Sequence, residues 1–169
     1  KNVKENVGLL DMTAFAKCRI KGPKAEEFLD NLVANKLPKK IGRINLCHAL
    51  NTKGGVHSEF TIIRETEDSF YLVSAGAFQR LDHDWILKWM PNDGSVQFEN
   101  LTNSTGVLVV SGPKARDLMK KVSSDDFSND NFKWLSSKQV DIGHAPCTAM
   151  RVNFVGELGW ELHHPIEYQ

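Results

Sequence analysis

The segment NTKGGVHSEFTIIR, residues 51 to 64, sets a carboxylate, Glu59, inside a run rich in β-branched and aromatic residues. Such a run reads as a strand that packs on something, so a charge at its centre needs a reason. Side chains on a strand alternate, which groups Val56, Ser58, Phe60 and Ile62 on one side and His57, Glu59, Thr61 and Ile63 on the other. Two readings follow. Either the Glu59 side meets water, the usual fate of an isolated strand charge. Or it faces a cleft, where the carboxylate accepts a hydrogen bond from a bound amine or stabilises positive charge on it. A second acidic candidate is Glu157 in FVGELGWEL, residues 154 to 162, flanked by Gly156 and Gly159. Paired glycines suit a tight bend that brings backbone close to a ligand, although a plain hairpin with a solvent-facing Glu157 accounts for the same letters.

Other chemistries find little support. His163 and His164 are neighbours, so a strand would point them to opposite faces, which is poor metal geometry. His83 in LDHDW reads as exposed, and His48, His57 and His144 have no ligand-type residues at supporting spacing; no metal site is expected. Cys18, Cys47 and Cys147 are three widely spaced thiols with no CxxC. They read as small buried hydrophobes in a reducing compartment, the cytoplasm or a mitochondrial matrix. There is no nucleophile elbow, no GxGxxG and no Walker sequence. Lys plus Arg and Asp plus Glu balance at 21 each, without the basic stripe that phosphate contacts require. No apolar run is long enough for a bilayer, and KNVKENVG is not a signal peptide. Nucleic-acid and membrane partners are therefore not expected, and the oligomeric state is not readable.

The candidates must be positioned by the elements around them. With 169 residues, 41% of them hydrophobic, the chain suits one domain or two small halves with a substantial core. Residues 14–20 read as a strand, and Ala25, Phe28, Leu29, Leu32 and Val33 fall at the spacing of a helix burying one face. Strands follow over 44–50 and 56–63, joined by the turn TKGG, then over 70–75. Phe78, Leu81, Trp85 and Trp89 mark one face of a helix ending before Pro91. The tetrapeptide GPKA at 22–25 returns at 112–115, again between a strand and an amphipathic helix with Leu118, Met119 and Val122. This points to an internal duplication. More strands are predicted over 138–142, 147–155 and 158–163. Adjacent strand runs favour an α+β fold with mainly antiparallel sheets. Residues 1–9 read as a linker, 10–104 as a first α+β half, and 105–169 as a second half incomplete at its C-terminus. The ending PIEYQ reads as the approach to another helix, so the chain is expected to be part of a larger protein.

Taken in order, GRINLCHALNTKGGVHSEFTI, FYLVSA, VLVVSGPKARDLM, FKWLS and RVNFVGELGWELHHPIEY resemble the folate-binding domain of the dimethylglycine and sarcosine dehydrogenase family. That domain is homologous to the aminomethyltransferase, or T protein, of the glycine cleavage system. The resemblance runs from about Leu10 to the last residue and implies the family's duplicated, truncated α+β folate-binding fold. It implies tetrahydrofolate as cofactor, a methylated amine as substrate source, and FAD held only in an upstream region. On the T protein's turn-strand motif, Glu59 falls on the catalytic Asp, one methylene longer, Ser58 replaces the preceding Asp, and Asn51 matches the leading Asn, a turn-shaping position at the folate site. On the second motif, Glu157 takes the place of the pterin-binding Glu, while Phe154 and Trp160 replace its tyrosines. The implied function is one-carbon transfer to tetrahydrofolate. A free-standing aminomethyltransferase or demethylase, or a folate-binding regulatory module without catalysis, are the alternatives.

Overall fold

The computed structural model describes residues 1–153, 156 and 158–169. In chain order the first half carries α1 (Asn2–Glu5), β1 (Gly8–Asp11), β2 (Ala16–Lys21), α2 (Ala25–Leu32), β3 (Ile44–Leu50), β4 (Val56–Arg64), β5 (Ser69–Ser74) and α3 (Gln79–Trp89). There follow β6 (Gln97–Asn100), β7 (Thr105–Ser111), α4 (Ala115–Val122), β8 (Ser137–Ile142), β9 (Ala145–Met150) and β10 (Gly159–Pro165). They divide into two compact units. One is Phe15–Thr102; the other joins Lys1–Ala14 to Asn103–Gln169. Residues 1–9, expected as a linker, hold α1 and the start of β1, whose Gly8 pairs with Ser111 of β7.

In the Phe15–Thr102 unit, five strands run in the order β3-β4-β5-β2-β6, with antiparallel pairing throughout. The expected α+β fold with antiparallel sheets is what forms. α2 buries Ala25, Phe28, Leu29 and Leu32, the i, i+3, i+4, i+7 stripe predicted for it. That stripe lies in one cluster with Cys18 and Ile20 of β2, Cys47 and Ala49 of β3, and Phe60 and Ile62 of β4. α3 forms and stops before Pro91, as expected; it buries Asp82 and Ile86, while Phe78, Leu81 and Trp89 are 58%, 47% and 49% exposed. His83, expected to be exposed, is half-buried and meets the Phe98 ring edge-on at 4.9 Å. Burial lowers its pKa against the opposing pull of Asp82 and Asp84.

The other unit has the order β1-β7-β10-β9-β8, also antiparallel, with α4 covering it. Both units use the same joint after a strand. Gly22 and Gly112 take φ of 129° and 137°, a conformation that side chains other than glycine rarely adopt. A Cβ at either would lie 2.4 Å from a backbone oxygen, of Ser95 or of Asn6. Each glycine carbonyl then accepts from the alanine three residues on, at 2.9 Å. The repeated GPKA is thus a repeated backbone requirement and not only a helix opener.

Trp160, implied by the resemblance as a ligand contact, lies in the core of its unit. It is fully buried, edge-on to Phe127 at 5.2 Å and tilted against Phe132 at 6.0 Å. The guanidinium groups of Arg116 and Arg151 lie 5.7 and 5.9 Å from its ring. The cause is strand parity: on β10, Trp160 and Leu162 alternate inward to the cluster holding Val110, Phe127 and Phe132. Replacing Trp160 with Ala should therefore lower unfolding free energy by about 3–5 kcal/mol, as for other large core aromatics. Urea denaturation measures this, and a loss below about 1 kcal/mol would contradict the core assignment.

The three cysteines are free and buried, as expected. Burial, and secondarily the charge of Asp82, pushes Cys18 up to about 12. Cys47 and Cys147 rise to about 11, again through burial, with Asp141 adding to the effect at Cys147. A folded-state value above the unfolded one leaves stability intact below the ordinary thiol range. Stability is then lost as pH climbs from the ordinary thiol value of 9.0 toward 11–12. Thiol titration with a chromogenic disulfide should be slow in the native protein at neutral pH and complete in denaturant. Denaturant midpoints should fall on going to alkaline pH. Fast native labelling would show the thiols to be accessible.

Candidate functional site

The hairpin of β3 and β4 carries the principal candidate. Its register is constant from Ile44↔Ile63 to Ala49↔Ser58 and then shifts to Leu50↔Val56. The shift leaves His57 as an extra residue, a β-bulge. Asn51 closes the turn. Its N–H donates to Gly55 O at 2.8 Å, and its Oδ1 accepts from the N–H groups of Lys53 (2.9 Å) and Gly55 (3.1 Å). This is the local side-chain-to-backbone bonding that makes Asn a turn residue. Gly54 completes it at φ 80°.

The same register sets His48 directly opposite Glu59. Their side chains meet, Nε2 to Oε2, at 2.9 Å. An ionised carboxylate only accepts, so Nε2 carries the hydrogen. Phe60, Ile62, Cys47 and Ala49 point into the helix-side core, so alternation turns Glu59 and His48 to the opposite face. There they remain 52% and 37% exposed. A pair so exposed contributes about 0–1 kcal/mol, too little to account for a carboxylate in this strand. What the arrangement provides is a solvent-accessible acceptor in a fixed direction. His48 was not singled out by spacing along the chain. The signal was the turn together with the bulge: folding about Asn51–Gly55 pairs position 50 with 56, and the extra residue at His57 then brings 48 opposite 59.

The bulge also corrects the expected grouping of His57 with Glu59. His57 sits on the helix side, its Nδ1 2.8 Å from Ser58 Oγ, its ring stacked on Trp85 at 4.1 Å and 21°. Trp85 and Trp89, with Phe28, Leu32, Leu50, Asn31, Asn51 and Thr52, line a cleft of about 290 Å³. Asn51 borders that cleft and Glu59 does not. Asn51 thus shapes the turn that orients Glu59, while its side chain looks elsewhere. Trp160 lies in the core of the other unit. Glu157 and Phe154, the remaining candidates, fall outside the described residues.

Both residues of the His163–His164 pair are buried. His163 Nε2 lies 3.1 Å from Glu161 Oε2, and His164 Nδ1 lies 3.0 Å from Pro165 O. Among the described residues no group of three or more His, Cys, Asp or Glu could hold a metal. Nor is any described helix long and apolar enough to cross a membrane.

The chain is 39% identical over 165 residues to dimethylglycine dehydrogenase, mitochondrial, of Rattus norvegicus, covering 97% of this chain and 19% of that protein. It is 33% identical over 168 residues to the pyruvate dehydrogenase phosphatase regulatory subunit, mitochondrial, of Mus musculus, covering 98% and 19% respectively. It thus spans about a fifth of the length of these relatives. Its fold matches the crystal structure of glycine cleavage system aminomethyltransferase T from Bartonella henselae. The TM-score is 0.84 at 21% identity, covering 99% of this chain and 44% of that one. The family described as the GCVT N-terminal domain matches residues 1–169. With its whole length matched and its two antiparallel sheets in the T-protein arrangement, the chain belongs to the GCVT N-terminal domain family.

Proposed function

We propose that this chain is the tetrahydrofolate-dependent one-carbon transfer region of a dimethylglycine or sarcosine dehydrogenase-like enzyme, with Glu59 as its catalytic carboxylate. The observation that carries the reading is an accessible, His48-anchored carboxylate at the place of the family's catalytic Asp. Tetrahydrofolate, when bound, supplies two nucleophilic nitrogens that take up the one-carbon unit. The residues present fit it at one point. Glu59 has an exposed oxygen able to accept an N–H hydrogen bond, stabilise adjacent positive charge and hold the released proton at Oε1 or Oε2. Trp160, fully buried, is left out of the folate contacts. Glu157 and Phe154 keep the roles that the motif implies for them, and Asn51 keeps a supporting one. The oxidation that generates the one-carbon unit, with its FAD, belongs in this proposal to another region, since residues 1–169 hold no dinucleotide fingerprint. A mitochondrial location follows the name of the rat relative. A free-standing aminomethyltransferase or demethylase with the same site would share the Glu59 chemistry.

A second reading, a folate-binding module without catalysis, is favoured by the relative that is a regulatory subunit. Calorimetry with tetrahydrofolate beside a transfer assay separates the two, because a pure binder gives heat without product. For the first reading, Glu59→Gln should lower the rate of methylenetetrahydrofolate formation by about 100-fold or more, the scale of a lost acid–base group. Tetrahydrofolate binding should change by less than about threefold, since one hydrogen bond of neutral strength is retained. Unchanged transfer in that variant would remove Glu59 from the chemistry.

A further inference from the structure

Glu59 is longer by one methylene than the aspartate it replaces in the family motif, and an exposed glutamate samples many rotamers. A carboxylate that must meet a nitrogen in one direction cannot afford that freedom, because misplacement by about 1 Å costs on the order of a hundredfold in rate. Among the described residues Glu59 has one hydrogen-bond partner, Nε2 of His48 at 2.9 Å. The partner is not adventitious in its placing. His48 lies directly across the ladder, in a run of six consecutive register pairs held by buried residues on both strands. Directly opposed residues of an antiparallel pair bring their Cβ atoms to about 5 Å, so the backbone itself sets the reach between imidazole and carboxylate. The contact engages Oε2, and Oε1 makes no side-chain hydrogen bond among the described residues.

We infer that His48 is the positioning residue for Glu59, holding the longer carboxylate in the one orientation from which it serves a bound amine. The inference rests on the reading of Glu59 as the catalytic carboxylate. His48 acts through Nε2–H, the atom that touches Oε2, and does not itself touch the substrate. A glutamine at position 48 can present an amide N–H near the place of Nε2, whereas a phenylalanine fills the space of the ring without a donor. The two substitutions therefore separate the hydrogen bond from the volume.

The test uses the whole protein in three forms, wild type, His48→Phe and His48→Gln, with two readouts. The first is methylenetetrahydrofolate formation. His48→Phe should lower kcat roughly tenfold while KM for tetrahydrofolate stays within about twofold, and His48→Gln should recover most of the loss. The second readout needs no ligand and no turnover: carbon-13 relaxation of the Glu59 side-chain methylenes. These should be ordered in the wild type, mobile in His48→Phe, and ordered again in His48→Gln. Equal mobility of Glu59 in all three forms would overturn the inference, as would a His48→Phe protein with wild-type kcat while Glu59→Gln is inactive. If Glu59→Gln proves fully active, the functional reading fails instead, and the relaxation measurement still decides whether His48 fixes Glu59. Should His48→Phe be unfolded by circular dichroism, His48→Leu supplies the donor-free comparison.

Discussion

The antiparallel register of β3 and β4 is the constraint on which the site depends. Phe60 and Ile62 on one strand, and Cys47 and Ala49 on the other, are all buried in the helix-side cluster. Each large apolar side chain among them stabilises this register by roughly 2–3 kcal/mol of burial. A slip of one residue would exchange every inward and outward side chain. It would drive Glu59 into the core and expose Phe60. Hydrophobic residues with no role in chemistry thus decide that Glu59 faces outward and that His48 stands opposite it. The Asn51 turn closes the hairpin beyond this ladder, and the extra residue at His57 supplies the offset that sets 48 opposite 59.

Parity governs the other unit in the same way but with the opposite result for a candidate residue. β10 is buried along nearly its whole length, and Trp160 and Leu162 take the face that meets Phe127, Phe132 and Val110. An aromatic at this position therefore contributes to packing before it can contribute to binding. The duplicated strand–GPKA–helix joint sets up both sheets with the same backbone conformation. What differs is which side chains the following strands turn inward. A shared motif fixes geometry, and residue pattern then assigns each copy its use.

Much of this was readable from the chain. The stripe of α2 contained its whole buried face, and the glycine-rich turn located the hairpin, because both signals are local and nothing distant competes with them. α3 was legible as a helix, but its buried face was not, since Trp85 and Trp89 border a cleft while Asp82, a charged residue, is buried. Periodicity identifies the faces of a helix, but it does not say which of two mixed faces meets the sheet. β1 is four residues long with three of them exposed, so it carries no periodic signal and is defined only by pairing with β7. The bulge at His57 inverted one side chain because register shifts arise from pairing geometry, not from composition. His48 illustrates the converse. Its partner lies eleven residues away and becomes visible only when the hairpin is folded about its turn.

The exposure of the His48–Glu59 pair limits what it can do unaided. A hydrogen-bonded pair this exposed interacts through a high effective dielectric, so its electrostatic strength is small. A carboxylate in that setting is a weak stabiliser of a developing cation. Its strength would rise if water were displaced from around it, which under the proposed function a ring system bound over the Glu59 face would do. Orientation supplied in advance by the sheet and desolvation supplied on binding are then separate contributions, made by different partners. The first depends on a 2.9 Å contact already formed across β3 and β4. The second would come only with a bound ligand, so no unpaired charge is buried at Glu59 in the free protein, where its side chain is 52% exposed.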